Sequence, residues 1–120
     1  MKLRFLLVLL PLYSIVSWAQ LTQPATPKTP LEHFQAGEAF LSQNNYQSAA
    51  NQFRESLKGN PIEPKWVAVW VHVDLGKIFD LTGQRQRAIR EYKRALDTKD
   101  NTRGALDEAA NYVETPFSRK

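Results

Sequence analysis

The chain has 120 residues, enough for one domain. It contains no cysteine, which excludes a disulfide framework, a thiolate metal site and a thiol nucleophile. Its formal charge of +4 falls to +2 once Lys2 and Arg4 of the N-terminal leader are set aside, too small a bias to argue for a nucleic-acid partner.

Residues 1–19 read as a secretory signal peptide. Lys2 and Arg4 form the charged start, and an apolar run follows from Phe5 to Val16, interrupted by Pro11 and Ser14. Ser17 and Ala19 place small residues where a signal peptidase reads them, so cleavage is expected before Gln20. The competing reading is a retained anchor, but the run is shorter than the ~20 apolar residues of a spanning helix. With no cysteine after the cleavage point, a lipoprotein anchor is excluded. The expected location is periplasmic or extracellular, with no stable membrane span after cleavage. Residues 20–30 form a linker in which Pro24, Pro27 and Pro30 recur every third position, favouring an extended polyproline backbone.

The rest of the chain is expected to be all-α. A first helix should cover residues 31–42, with Thr29 as its N-cap and Pro30 at the first helical position. The second should cover residues 46–58, closed by Gly59 and stopped by Pro61. Val67, Val69, Val71 and Val73 alternate with other residues, which taken alone signals a strand. Trp66, Trp70, Val73 and Lys77 nevertheless share helical spacing, so the third element is read as a helix through Phe79. Whether residues 62–68 lengthen the loop or begin this helix stays open. A fourth helix should cover residues 85–97, burying Ala88, Ile89, Tyr92, Ala95 and Leu96. A fifth should cover residues 102–113, with Ala105, Leu106, Ala109, Tyr112 and Val113 on its apolar face. Residues 114–120 form a tail whose end is expected to fray.

Two runs echo each other. The first has Gly37 and Phe40, then Ala49, Phe53 and Ser56; the second has Gly76 and Phe79, then Ala88, Tyr92 and Ala95. Twelve positions separate glycine from alanine in both, and the aromatic follows the alanine by four. A fixed period of small and aromatic residues marks a repeat architecture. Each unit makes sense as two packed helices, in which the glycine and the alanine let the backbones approach and the aromatic fills the space beside them. Residues 43–45 and 82–84 supply Asn and Gly for the left-handed backbone of a tight turn.

At these residues the chain resembles the tetratricopeptide repeat family. The resemblance implies antiparallel helix pairs of a solenoid, with repeats at about residues 30–63 and 69–102 and a capping helix at 102–113. Pro61 stands where the family closes a repeat with proline; in the second repeat Asp100 stands there instead. The tryptophan that often opens the pattern is replaced by His33 and His72.

Little points to catalysis. His33 and His72 fall at equivalent places, so repeat packing accounts for them, and neither has a second histidine four positions on for a helical metal site. No Gly-rich phosphate loop and no Gly-x-Ser-x-Gly elbow occur. The chain is read as a non-enzyme that needs no cofactor or metal.

Binding is the better expectation. The resemblance implies contacts from the first helix of each repeat, here Leu31, Phe34, Glu38 and Leu41, then Trp70, Val73, Lys77 and Asp80, with Trp66 extending the surface. Phe34 and Glu38 occupy the places where some members carry the lysine and asparagine that grip acidic C-terminal tails, so that clamp is not expected. Arg87, Arg90 and Arg94 share one helical face. They form either a solvated outer surface or a contact for an acidic partner or anionic envelope surface. The expected function is protein–protein contact through an apolar, aromatic groove. Alternatives are a self-assembling structural subunit, such as a homodimer, and, less favoured, an enzyme's accessory chain.

Overall fold

The computed structural model describes residues 26–120, and among these it is all-helical. Helix α1 covers Pro30–Ser42, α2 Tyr46–Ser56, α3 Trp66–Leu81, α4 Arg85–Asp97 and α5 Ala105–Glu114, with a 3-10 turn at Thr102–Gly104 before α5. The signal-peptide reading and the first part of the linker lie outside the described residues.

Local chemistry sets the helix ends. Thr29 caps α1: its hydroxyl accepts from the Glu32 amide at 3.2 Å, while the Glu32 carboxylate accepts from the Thr29 and Lys28 amides at 3.2 and 2.7 Å. Glu32 thus completes a capping box that satisfies orphan donors at the helix start. Those backbone N–H groups also hold its carboxyl below the usual range. Helix α2 stops at Ser56, two residues short of the expected end, and the Ser56 hydroxyl donates to the Pro30 carbonyl at 2.7 Å. The end of α2 is therefore tied to the start of α1.

Both helix pairs turn in the same way. Asn44 (φ 58°) and Gly83 (φ 74°) take the left-handed backbone, thirty-nine positions apart. The residue after each then donates back across the turn, Asn45 to the Phe40 carbonyl at 2.9 Å and Gln84 to the Phe79 carbonyl at 2.7 Å. These bonds satisfy carbonyls that the helix end would otherwise leave unpaired.

Inside each pair the aromatic sits on the glycine itself. A Cβ at Gly37 would stand 2.5 Å from Phe53 Cε1, and one at Gly76 would be closer still to Tyr92. The missing side chain therefore makes room for a ring rather than for a second backbone. Phe53, Tyr92, Ala49, Ala88 and Ala95 are fully buried around these seats.

Helix α3 packs against each of α1, α2, α4 and α5. This explains the alternating valines. Positions two apart on a helix point about 200° from one another, and positions four apart nearly coincide. Val67 and Val71 therefore fall on one side and Val69 and Val73 on the other, and all four are fully buried. Burial on two opposed faces produces a strand-like pattern in a helix. The insertion between repeats divides in two: residues 62–65 are loop, and α3 begins at Trp66. The fifth helix starts at Ala105 rather than at residue 102, because Arg103 (φ 56°) and Gly104 (φ 76°) are left-handed and break the run.

Candidate functional site

Helices α1, α3 and α5 share a face on which most of the expected contact residues meet. At one end Trp66 stands edge-on to Phe34, with centroids 5.5 Å apart, and the Arg103 guanidinium lies 4.8 Å from the Trp66 ring. Trp70 donates its indole N–H to the Thr102 carbonyl at 3.0 Å. Its position is therefore fixed by the turn into α5, and its ring is left half-buried beside Lys77.

Lys77 occupies the centre. Its Nζ is 3.4 Å from Asp74 Oδ1 and 3.1 Å from Glu108 Oε2. The same Nζ lies 5.6 Å from the Trp70 ring, 5.7 Å from Tyr112 and 5.4 Å from Phe117. Burial by itself would lower the Lys77 pKa, but the Asp74 and Glu108 carboxylates outweigh it and hold it above the usual range. Asp74 is buried, and loss of water pushes its pKa up to about 7 despite Lys77, with Glu38 adding to the rise. Desolvation also raises Glu38, against the pull of Arg103 and Lys77. One ammonium thus holds a partly dehydrated acidic cluster inside a ring of aromatic side chains.

Asp80 closes the other end. Its side chain is 1% exposed and pairs with Arg85, whose Nη1 is 3.1 Å from both carboxylate oxygens. The Tyr92 hydroxyl donates to Oδ2 at 2.8 Å. Burial and this bond push the Tyr92 pKa well above its usual value. The Phe117 amide donates to the same oxygen at 2.8 Å, and the Phe117 ring stands edge-on to Tyr112 with centroids 5.4 Å apart. Arg119 then donates to the Leu41 carbonyl at 2.7 Å. The tail, expected to fray, instead crosses from α5 over α3 to the end of α1.

The burial pattern corrects three of the expected contacts. Phe34 (4% exposed) and Val73 (0%) belong to the core, and the Asp80 carboxylate is enclosed by Arg85, Tyr92 and Phe117. The core closes Phe34 and Val73 to a partner, and the seated tail covers Asp80. Leu31, Leu41, Trp66, Trp70 and Lys77 are half-buried, and Glu38 is exposed. Asp74, Glu108 and Phe117 join this face from outside the contact positions expected from the sequence. Only the helical offset of Asp74 from Lys77 pointed to one of them.

A second feature lies where α2 and α4 flank α3. Arg54, Arg87, Arg90 and Arg94 line an open cleft of about 400 Å³ over Leu57, Leu75 and Phe79. The Arg87 guanidinium lies 4.1 Å from the Phe79 ring, and Arg94 pairs with Glu91 at 2.6 Å. The sequence placed three of these arginines on one helix, while Arg54 joins them from α2. Among the described residues, no group of three His, Asp or Glu side chains gathers closely enough to hold a metal ion. No helix among them is long and apolar enough to cross a membrane. No family model, curated protein or solved structure matches the chain.

Proposed function

We propose that the protein is an exported interaction module of tetratricopeptide-like construction that grips a protein or peptide partner on the α1/α3/α5 face. The repeat construction is supported by recurrence at thirty-nine residues: the glycine–aromatic seat, the left-handed turn residue and the bond across the turn each occur twice. Export is supported by the leader pattern of residues 1–19.

The observation that carries the binding reading is the cluster around Lys77. A buried carboxylate at Asp74, forced towards protonation, is an expense for a helical core that apolar residues would pack without penalty. A lysine shared by two carboxylates, one of them buried, beside the Trp70 and Tyr112 rings supports reading this face as a recognition surface. The mixture suits a peptide bearing both apolar and charged side chains.

The test is site-specific photocrosslinking in cells that make the protein. A photoreactive residue at Glu38, exposed on this face, should capture a partner; one at Gln47, exposed on α2, should not. Equal capture from both positions, or none from either, overturns the reading. A product of twice the chain mass from Glu38 alone would make the partner a second copy and turn the protein into a self-assembling subunit.

A further inference from the structure

The seat that the C-terminal tail occupies is complete without the tail. Asp80 is already satisfied by Arg85 on both oxygens and by the Tyr92 hydroxyl, so the Phe117 amide is an added donor. Tyr112 is likewise held against the core by Tyr92, with centroids 5.5 Å apart, before Phe117 is added. The Leu41 carbonyl already accepts from the Asn44 amide at 3.0 Å, and its place at the C-terminal end of α1, where the helix dipole is negative, favours a cation as an added donor. A tail that served only to complete the fold would satisfy groups otherwise left buried and unpaired. This one does not.

The tail is also lightly held. Phe117 is half-buried, while Thr115, Pro116, Ser118, Arg119 and Lys120 are exposed. Beyond the Thr115 amide that closes α5, its attachments among the described residues are the Phe117 N–H, the Phe117 ring against Tyr112 and Lys77, and the Arg119 guanidinium. Such a segment sits at the low-stability end of a fold and opens without global unfolding. Leu41 and Asp80 are equivalent residues of the two repeats, so the tail runs across both first helices, as an extended ligand of the face would.

We propose that the α1/α3/α5 face receives an extended partner segment carrying an aromatic residue two positions before an arginine, and that Phe117 and Arg119 hold that seat until the partner displaces them. This rests on the binding reading of the same face. The partner's main-chain N–H donates to Asp80, its ring lies against Tyr112 and under Lys77, and its arginine meets the Leu41 carbonyl. The carboxylates of Glu38, exposed on this face, and Glu108, 40% exposed, favour a basic segment over an acidic one.

The test uses the full chain with Phe117→Ser and Arg119→Ser, which keeps the tail and removes its anchors. The probe is a fluorescein-labelled peptide of sequence ETPFSRK. A tethered segment competes at an effective concentration of ~mM, so the peptide should bind the double variant at least tenfold more tightly than the native chain. A peptide with serine in place of its phenylalanine and arginine should not bind. Equal binding to both proteins, or none to the variant, overturns the proposal. Loss of helicity in the variant also overturns it, because the tail would then be part of the fold.

A second measurement keeps the native anchors. The chain has no cysteine, so Ser118→Cys takes a single nitroxide label. The label should broaden the Leu41 and Asp80 amide signals, and excess ETPFSRK should relieve the broadening. Persistence of the broadening counts against displacement. Broadening that grows with protein concentration would show another copy's tail in the seat, and also overturns it. If the peptide fails while Glu38 still crosslinks a partner, this inference falls and the binding reading stands. Peptide binding without any Glu38 crosslink would leave a displaceable tail with no partner to displace it, and both the binding reading and this inference fall.

Discussion

His72 Nδ1 and Glu91 Oε2 stand 2.8 Å apart, with side chains only 17% and 10% exposed. The first repeat makes the same bond with other chemistry: His33 Nδ1 is 2.8 Å from Gln52 Oε1, again nineteen positions along. Each histidine on a first helix thus reaches the residue just before the ring that covers the glycine, Phe53 or Tyr92. The two helices of a pair are thereby pinned in register. Burial alone would raise Glu91, but the bond from His72 and the charge of Arg94 outweigh it and hold its pKa below the usual range.

His72→Ala should therefore cost more stability than His33→Ala. A hydrogen bond to a charged group contributes about 1.5–3 kcal/mol, and one between neutral groups about 1 kcal/mol. Glu91 is depressed in the folded state, so its contribution is present at neutral pH and is lost as pH falls through its folded value. Urea unfolding at pH 7 should show the difference between the variants, and repeating it at acidic pH should show the deficit of His72→Ala shrinking.

Gly37→Ala and Gly76→Ala should both destabilise the chain. Alanine is worth about 1 kcal/mol over glycine inside a helix, but overpacking a filled core costs about 1–3 kcal/mol. The new Cβ would collide with Phe53 or Tyr92, both fully buried. Tyr92 is also fixed by its bond to Asp80, so Gly76→Ala should be the worse of the two. Thermal melts followed by circular dichroism would rank them, and a higher Tm for either would show that the ring can move aside.

Asp74→Asn should stabilise the protein, and do so most at high pH. The folded pKa lies above the ordinary one, so the native state binds the extra proton, and native stability falls as pH rises from about 4 through about 7. Asparagine removes that dependence. The rise from 3.8 to about 7 sets a ceiling of roughly 4 kcal/mol, reduced by the lost attraction to Lys77. Melts of both proteins at pH 5 and pH 8 should give the larger gain at pH 8; equal gains would mean that Asp74 stays ionised throughout.

Phe34→Glu and Trp70→Phe separate core from surface. The first buries a charge in a fully packed site against Phe53 and Trp66 and should prevent folding. The second keeps the ring but loses the bond to the Thr102 carbonyl, for a cost of about 1 kcal/mol. Circular dichroism spectra of the two variants would be enough: a helical Phe34→Glu protein would return that residue to the exposed face.

The parts of the fold that depend on neighbours along the chain were legible. Thr29, Pro30, Asn44 and Gly83 set helix ends and turns through local backbone chemistry, and the α4 limits at Arg85 and Asp97 agree with its periodicity. What the sequence concealed is lateral. The valines of α3 alternate because two faces are covered, which one helix's pattern does not reveal. Phe34, Val73 and Asp80 fall at contact spacing, yet neighbouring elements close over them: Trp66 over Phe34, and the returning tail over Asp80. Arg54 joins the α4 arginines across α3, and no spacing within either helix reports that.

The enclosure of α3 has a mechanical consequence. Because this helix supplies half of the second pair and also the wall against which α1 and α2 rest, melting of one repeat uncovers apolar surface of the other. Heat should produce a single transition rather than two. The amides of Val67, Val69, Val71 and Val73 should exchange with deuterium only when the whole molecule opens, which makes this helix the keel of the protein and the tail its loosest plank.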